Sequence, residues 1–242
     1  MCAAALLIGG LMFASPVYTT AMTASAATDT SDYVSEFRTE SQSAADALSR
    51  ANELNQKIVE EGIVLMKNEK QALPLSAGNK ITVLGKNASD PINGGGGSES
   101  GADGSGLLGV KYSSYTDAVK NSFADYDDAA IVFLSRAGGE GADLRTSYRA
   151  GSTGRSDYST DGDAATGDHY LELDDNEEDL IAMAKEKFDK VVVVLNIATS
   201  FELGTLEADE GVDAILWLGF AGGSGINALG KVLNGEVNPS GR

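Results

Sequence analysis

The sequence predicts an α/β fold in which helices cover both faces of a parallel or mostly parallel sheet. Three observations predict it. The runs 129–134, 191–195 and 214–218 are continuously apolar, as strands buried on both faces are. Amphipathic helical patterns separate them, which is the order a parallel sheet needs for its crossovers. Tracts rich in glycine, serine and acids follow strand ends, where ligands bind in open sheets of this kind.

Taken in chain order, residues 3–14 form an apolar run of the length of a signal-peptide core, too short for a stable bilayer anchor. Ala24-Ser25-Ala26 supplies an A-x-A cleavage signal, although nothing basic precedes the apolar run. Residues 1–26 are therefore expected to be a signal peptide and 27–45 a polar linker. Export to the medium or the cell surface is the expected fate, with an uncleaved membrane anchor as the alternative.

Ser43 with Asp46 opens a helix in the manner of a capping box, and Ala44, Ala47, Leu48, Ala51, Leu54 and Ile58 recur at helical spacing to about Glu61. A short apolar run at 63–66 and an extended Leu73-Pro74-Leu75 precede a strand at 81–84. The Gly/Ser tract 93–106 is too glycine-rich for regular structure. Thr116 caps a helix through Phe123, and the strand 129–134 follows. Asp174 and Glu177 open a helix with Leu180, Ile181, Ala184 and Phe188 on its apolar face. Its acids lie in the first turn, and Lys185 and Lys187 in the last, as the helix dipole favours. After the strands 191–195 and 214–218, Ile226, Leu229, Val232 and Leu233 line a final helix that Gly235 closes.

Composition excludes several functions. With 18 Lys+Arg against 36 Asp+Glu, the 242-residue chain carries a formal charge of −18. Nucleic acid is thereby excluded as a partner, because polyanions are held by basic side chains that displace counterions. Anionic membrane surfaces are disfavoured for the same reason. At 42% hydrophobic residues a full core can be buried. The single cysteine, Cys2, and single histidine, His169, leave no disulfide framework, no cysteine-based zinc site and little material for a Ser-His-Asp triad.

Four constellations could carry chemistry. Glu140 stands between Gly139 and Gly141 just past a strand end, where a partly desolvated carboxyl can serve as general acid. A solvated loop glutamate is the bland alternative. Gly104-x-Gly106-x-x-Gly109 and Gly223-x-Gly225-x-x-Ala228 imitate dinucleotide fingerprints. The first lacks a preceding strand and the second a following acidic strand, so close packing through small residues is the better reading. Asp157-x-Ser159-x-Asp161-Gly162-Asp163 with Asp168 imitates a calcium loop, but residues 157–179 hold ten acids and no Lys or Arg, a background in which such matches arise easily. His169 reads as a loop or packing residue, and Trp217 as a core residue.

Several blocks, in order, resemble the α/β-sandwich domain of glycoside hydrolase family 3, the β-glucosidase and β-xylosidase family. They are EGIVLMKN at 61–68 with Leu73-Pro74-Leu75, ITVLGKNA at 81–88, the tract 94–98, Ser135-Arg136 with Gly139-Glu140-Gly141 and Asp143, residues 171–180, and residues 222–242 ending Asn238-Pro239-Ser240-Gly241-Arg242. The resemblance implies a three-layer α/β/α sandwich with a mostly parallel sheet over 46–242. It also implies a retaining exo-acting β-glycosidase in which a (β/α)8 barrel supplies an aspartate nucleophile and Glu140 supplies the acid/base. After Gly139-Glu140-Gly141 the family's frequent aromatic and Asp-Arg become Ala142, Asp143, Leu144 and Arg145, so a sugar contact by Arg145 does not carry over.

No eight βα units are present, so the barrel is expected elsewhere on the same polypeptide. The expected arrangement is the inverted one, sandwich first, with these residues an N-terminal piece that is inactive alone. The expected substrate is a β-linked oligosaccharide or glucoside, without a cofactor or metal and without a membrane partner beyond export. A non-catalytic carbohydrate-binding or calcium-dependent surface module is the alternative.

Overall fold

The computed structural model describes residues 40–41, 43–85, 87–94, 115–136 and 171–242. The chain divides into Met1–Ala47 and Leu48–Arg242, and the sheet belongs to the second unit. Its elements run α1 (Ala44–Gly62), β1 (Val64–Asn68), β2 (Ile81–Leu84), α2 (Asp117–Ser122) with a 3-10 turn at Phe123–Asp125, β3 (Ala129–Arg136), α3 (Asp175–Lys187), β4 (Val191–Ile197), α4 (Gly204–Ala208), β5 (Ala214–Trp217) and α5 (Gly222–Leu233).

The strands form one sheet in the order β1-β5-β4-β3-β2. β2 to β5 are parallel, and β1 joins β5 antiparallel, with a register shift between Leu65 and Lys67. Side chains alternate between the two faces of a strand, and here the alternation separates two cores. Ala129, Ile131 and Phe133 of β3 and Val192 and Val194 of β4 pack with Val59 of α1 and Leu229 and Val232 of α5. Ala130, Val132 and Leu134 with Val191, Val193 and Leu195 pack on the other side against Phe123, Leu180, Ala184 and Leu206. Each large aliphatic so buried contributes about 1.5–3 kcal/mol, which explains why these runs contain no polar residue before Ser135 and Asn196. The result is the three-layer α/β/α sandwich that the apolar runs predict.

The predicted caps are present. Glu177 N–H donates to Asp174 Oδ1 at 2.8 Å and Asp174 N–H to Glu177 Oε2 at 3.1 Å, closing the capping box of α3. Val119 N–H reaches Thr116 Oγ1, and Asp46 N–H reaches Ser43 Oγ. At the end of α5, Asn234 is the cap, and Gly235 follows it at φ +79°.

Three features lie beyond the sequence reading. β1 runs antiparallel, which a mostly parallel sheet accommodates and a short apolar run does not encode. α4 has no side-chain cap and gives no sequence signal. α1 forms as predicted, and Leu48, Leu54 and Ile58 of its apolar stripe are 63%, 59% and 59% exposed. The inward face is set instead by α5. Asn55 Nδ2 donates to Ala221 O and Ser224 Oγ, and a Cβ on Gly225 would stand 2.6 Å from Val59 Cγ2.

Lys67 is buried on the edge strand β1. Its ammonium donates to the carbonyls of Glu207 and Asp209 at 2.9 and 2.8 Å, where the end of α4 favours a cation. Burial pushes the Asp209 carboxyl up, but hydrogen bonds from Lys185 and from Gly211 N–H outweigh it and hold the group below its ordinary value. No described helix is long and apolar enough to cross a membrane.

Candidate active site

All four parallel strands end at one edge of the sheet, and there the first polar side chains of β3 and β4 enter the core. β3 ends in Ser135 and Arg136, paired in register with Asn196 and Ile197 of β4. Asn196 is fully buried. Its Oδ1 accepts Ile92 N–H at 2.6 Å, and its Nδ2 donates to Ile92 O at 2.9 Å and Gly219 O at 2.7 Å. One amide thus joins the segment after β2 to the segment after β5 across the sheet. Trp217, at the end of β5, donates its indole N–H to Ile197 O at 2.7 Å and packs on the second core, as the sequence suggests for it. Ser135 Oγ is buried with no hydrogen-bond partner among the described residues.

The β2 corner is closed by glycine. Gly85 has φ +110°, and a Cβ there would run into the Phe133 carbonyl oxygen. Its N–H donates to the Tyr115 hydroxyl at 3.1 Å. Burial pushes the Tyr115 phenol above its ordinary pKa, against a smaller opposite effect of that N–H, so the hydroxyl stays neutral.

Arg136 is the largest fully buried side chain at this edge. Nη1 and Nη2 meet Glu177 Oε1 and Oε2 at 2.6 and 2.7 Å, a bidentate pair that holds direction as well as charge. Removing one partner of such a buried pair costs about 3–5 kcal/mol, since the other charge stays buried and uncompensated.

Glu140 lies four positions beyond β3, outside the described residues, as do Arg145, the 157–168 acidic segment, His169 and the Gly104-Gly106-Gly109 motif. Gly223, Gly225 and Ala228 lie in α5, where Gly225 meets Val59 and Ala228 is fully buried; close packing accounts for that motif. Among the described residues no group of three or more His, Cys, Asp or Glu side chains could hold a metal ion. Two clefts, of about 260 and 500 Å³, are lined by residues such as Leu73, Pro74 and Val237, and Ser76, Asn79 and Asn234. Both lie toward the amino ends of the parallel strands, away from the edge that leads to Glu140. Sequence reading missed Asn196 and Lys67. A lone polar residue inside the run VVVVLNI was the available signal for the first.

The chain matches the family described as glycosyl hydrolase family 3 C-terminal domain over residues 63–242. Beta-glucosidase A of Butyrivibrio fibrisolvens is 27% identical over a stretch that covers 75% of this chain and 27% of that protein. Probable beta-glucosidase L of Aspergillus terreus is 25% identical, covering 83% of this chain and 29% of its own. Among solved structures, beta-glucosidase 3B from Thermotoga neapolitana in complex with glycerol superposes with a TM-score of 0.61 at 25% identity. That likeness covers 81% of this chain and 30% of the other. The chain spans less than a third of the length of each of these relatives.

Asn196→Ala leaves the Ile92 N–H and two carbonyls without their side-chain partner. It is expected to lower stability by about 3 kcal/mol, near the upper end for loss of a buried hydrogen-bonding group, as read by urea denaturation. A loss below about 1 kcal/mol would show that the clamp carries little.

Proposed function

This chain belongs to glycoside hydrolase family 3 through that family's C-terminal domain, and on that premise we propose that it supplies the acid/base half of a retaining β-glycosidase site. Glu140 is the acid/base. The aspartate nucleophile stands on a (β/α)8 barrel outside these 242 residues. The observation that carries the proposal is that β3 ends at Arg136, at the carboxyl edge of a sheet whose family is established, and that Gly139-Glu140-Gly141 begins three residues later in the sequence. The beta-glucosidase names of the relatives support a terminal β-linked glucose as the sugar released.

The chemistry follows from two carboxyl groups about 5–5.5 Å apart. The nucleophile attacks the anomeric carbon as the glycosidic C–O bond breaks, and Glu140 gives its proton to the departing oxygen. Glu140, now a carboxylate, takes a proton from water, which displaces the nucleophile and leaves the sugar with its original anomeric configuration. The flanking glycines keep side chains away from the approaching sugar.

Glu140→Ala in the complete polypeptide is expected to slow hydrolysis of alkyl β-glucosides by about 10²–10⁴, the range for loss of a general acid. A 2,4-dinitrophenyl glucoside, whose leaving group needs no proton, should lose far less in kcat/KM. Azide, which needs no general base, should restore turnover of the glycosyl-enzyme and yield β-glucosyl azide. Equal losses on both substrates without azide product would remove Glu140 from this role.

Residues 1–26 export the protein in the same proposal, which places the reaction outside the cytoplasmic membrane. The support is the apolar run 3–14 and the small-residue signal Ala24-Ser25-Ala26. Amino-terminal sequencing of the exported protein should begin at Ala27. A mature chain that keeps residues 1–26 would contradict cleavage.

A further inference from the structure

We propose that Arg136 is the positioning residue of the acid/base segment, holding together the two points at which the segment 137–170 leaves and rejoins the sandwich. The inference rests on the assignment of Glu140 as acid/base and adds what ties together the two ends of the segment that carries it.

The geometry supports it from four directions. Arg136 is the last residue of β3, and Leu171 and Glu172 are the first described residues after the segment. Arg136 Nη2 donates to the Glu172 carbonyl at 2.8 Å, so the guanidinium spans the departing and returning stems directly. Its other contacts fix the guanidinium plane. The carboxylate of Glu177 receives both terminal nitrogens, the Ser135 carbonyl accepts a further bond from Nη1 at 2.9 Å, and the Phe201 ring lies 5.1 Å from Cζ, within range for a cation–π contact. Phe201 belongs to the same fastening, because the next residue, Glu202, donates its N–H to the Leu171 carbonyl.

A merely space-filling role does not require this arrangement. Arginine's planar fork is suited to bidentate pairing with a carboxylate while a spare donor reaches elsewhere, and lysine cannot reproduce it. Glu177 is itself immobilised by the capping box of α3, so the anchor for the stems is the start of a thirteen-residue helix. A general acid works only when its proton is placed within a fraction of an ångström of the departing oxygen. Joining the stems removes much of the freedom of the chain between them.

The test uses the complete polypeptide and two substrates, an alkyl β-glucoside that needs the acid and a 2,4-dinitrophenyl β-glucoside that does not. In Arg136→Lys, kcat/KM on the alkyl glucoside should fall at least about tenfold more than on the dinitrophenyl glucoside, because misplacement of a catalytic group by about 1 Å costs up to 10². Glu177→Gln keeps the shape of its partner and should discriminate in the same direction, which preserves the test if Arg136→Lys fails to fold. Equal losses on both substrates, or no loss, in a folded variant would overturn the inference. Glu140→Ala is the control. If it shows the discrimination and azide product while the Arg136 and Glu177 variants do not, only the positioning role falls. If Glu140→Ala lacks them, the assignment beneath it falls.

Discussion

β3 and β4 lie in the middle of the sheet with helices on both faces, and this double burial governs everything else in the molecule. A polar side chain placed along either strand would lose its hydration with nothing to replace it, at a cost of about 1–3 kcal/mol per unmatched group. Polar residues are therefore excluded until the strands run out. They then appear together, Ser135 and Arg136 on β3 and Asn196 on β4, at paired positions. The polar side chains of the two central strands are pushed to this edge by the same burial that stabilises the sheet's centre.

Groups that appear at such an edge are still buried, so they need partners, and the partners tie neighbouring segments together. Asn196 finds them in Ile92 and Gly219, which brings the stretches after β2 and β5 beside β4. Arg136 finds them in Glu177 and Glu172, which fasten the end of β3 to the start of α3. Glu177 serves twice, as partner of the guanidinium and as the third residue of a capping box. The opposite edge is fastened by Lys67, whose ammonium reaches the carbonyls at the end of α4. Its clefts lie toward the amino ends of the parallel strands.

How much of this the sequence reveals depends on the range of the interaction. The apolar runs of β3, β4 and β5 and the cap of α3 are local signals, and each was legible with its boundaries nearly right. The direction of β1 was not, because hydrogen-bonding direction is set by a partner strand remote in sequence. The buried face of α1 is not legible either, for a related reason. Its Leu and Ile stripe looks like the core side, yet Asn55 and Val59 fit the glycines of α5, and that fit decides the rotation. At the candidate site, spacing marks Glu140 only as a strand-end carboxyl flanked by glycines; the acid/base role proposed for it comes from the ordered blocks that resemble the family. The Asn196 clamp and the Arg136–Glu177 pair join residues far apart in the chain, and no periodicity encodes them.

The central claim is that this domain provides the proton donor of a two-carboxylate site and not its nucleophile. Trapping the glycosyl-enzyme of the complete polypeptide with 2-deoxy-2-fluoroglucosyl fluoride, then mapping the labelled peptide by mass spectrometry, tests it most directly, since the label stays on the residue that forms the covalent bond. A labelled aspartate outside residues 1–242 and an unlabelled Glu140 are expected. A label on Glu140, or on any other carboxylate of Leu48–Arg242, would contradict it.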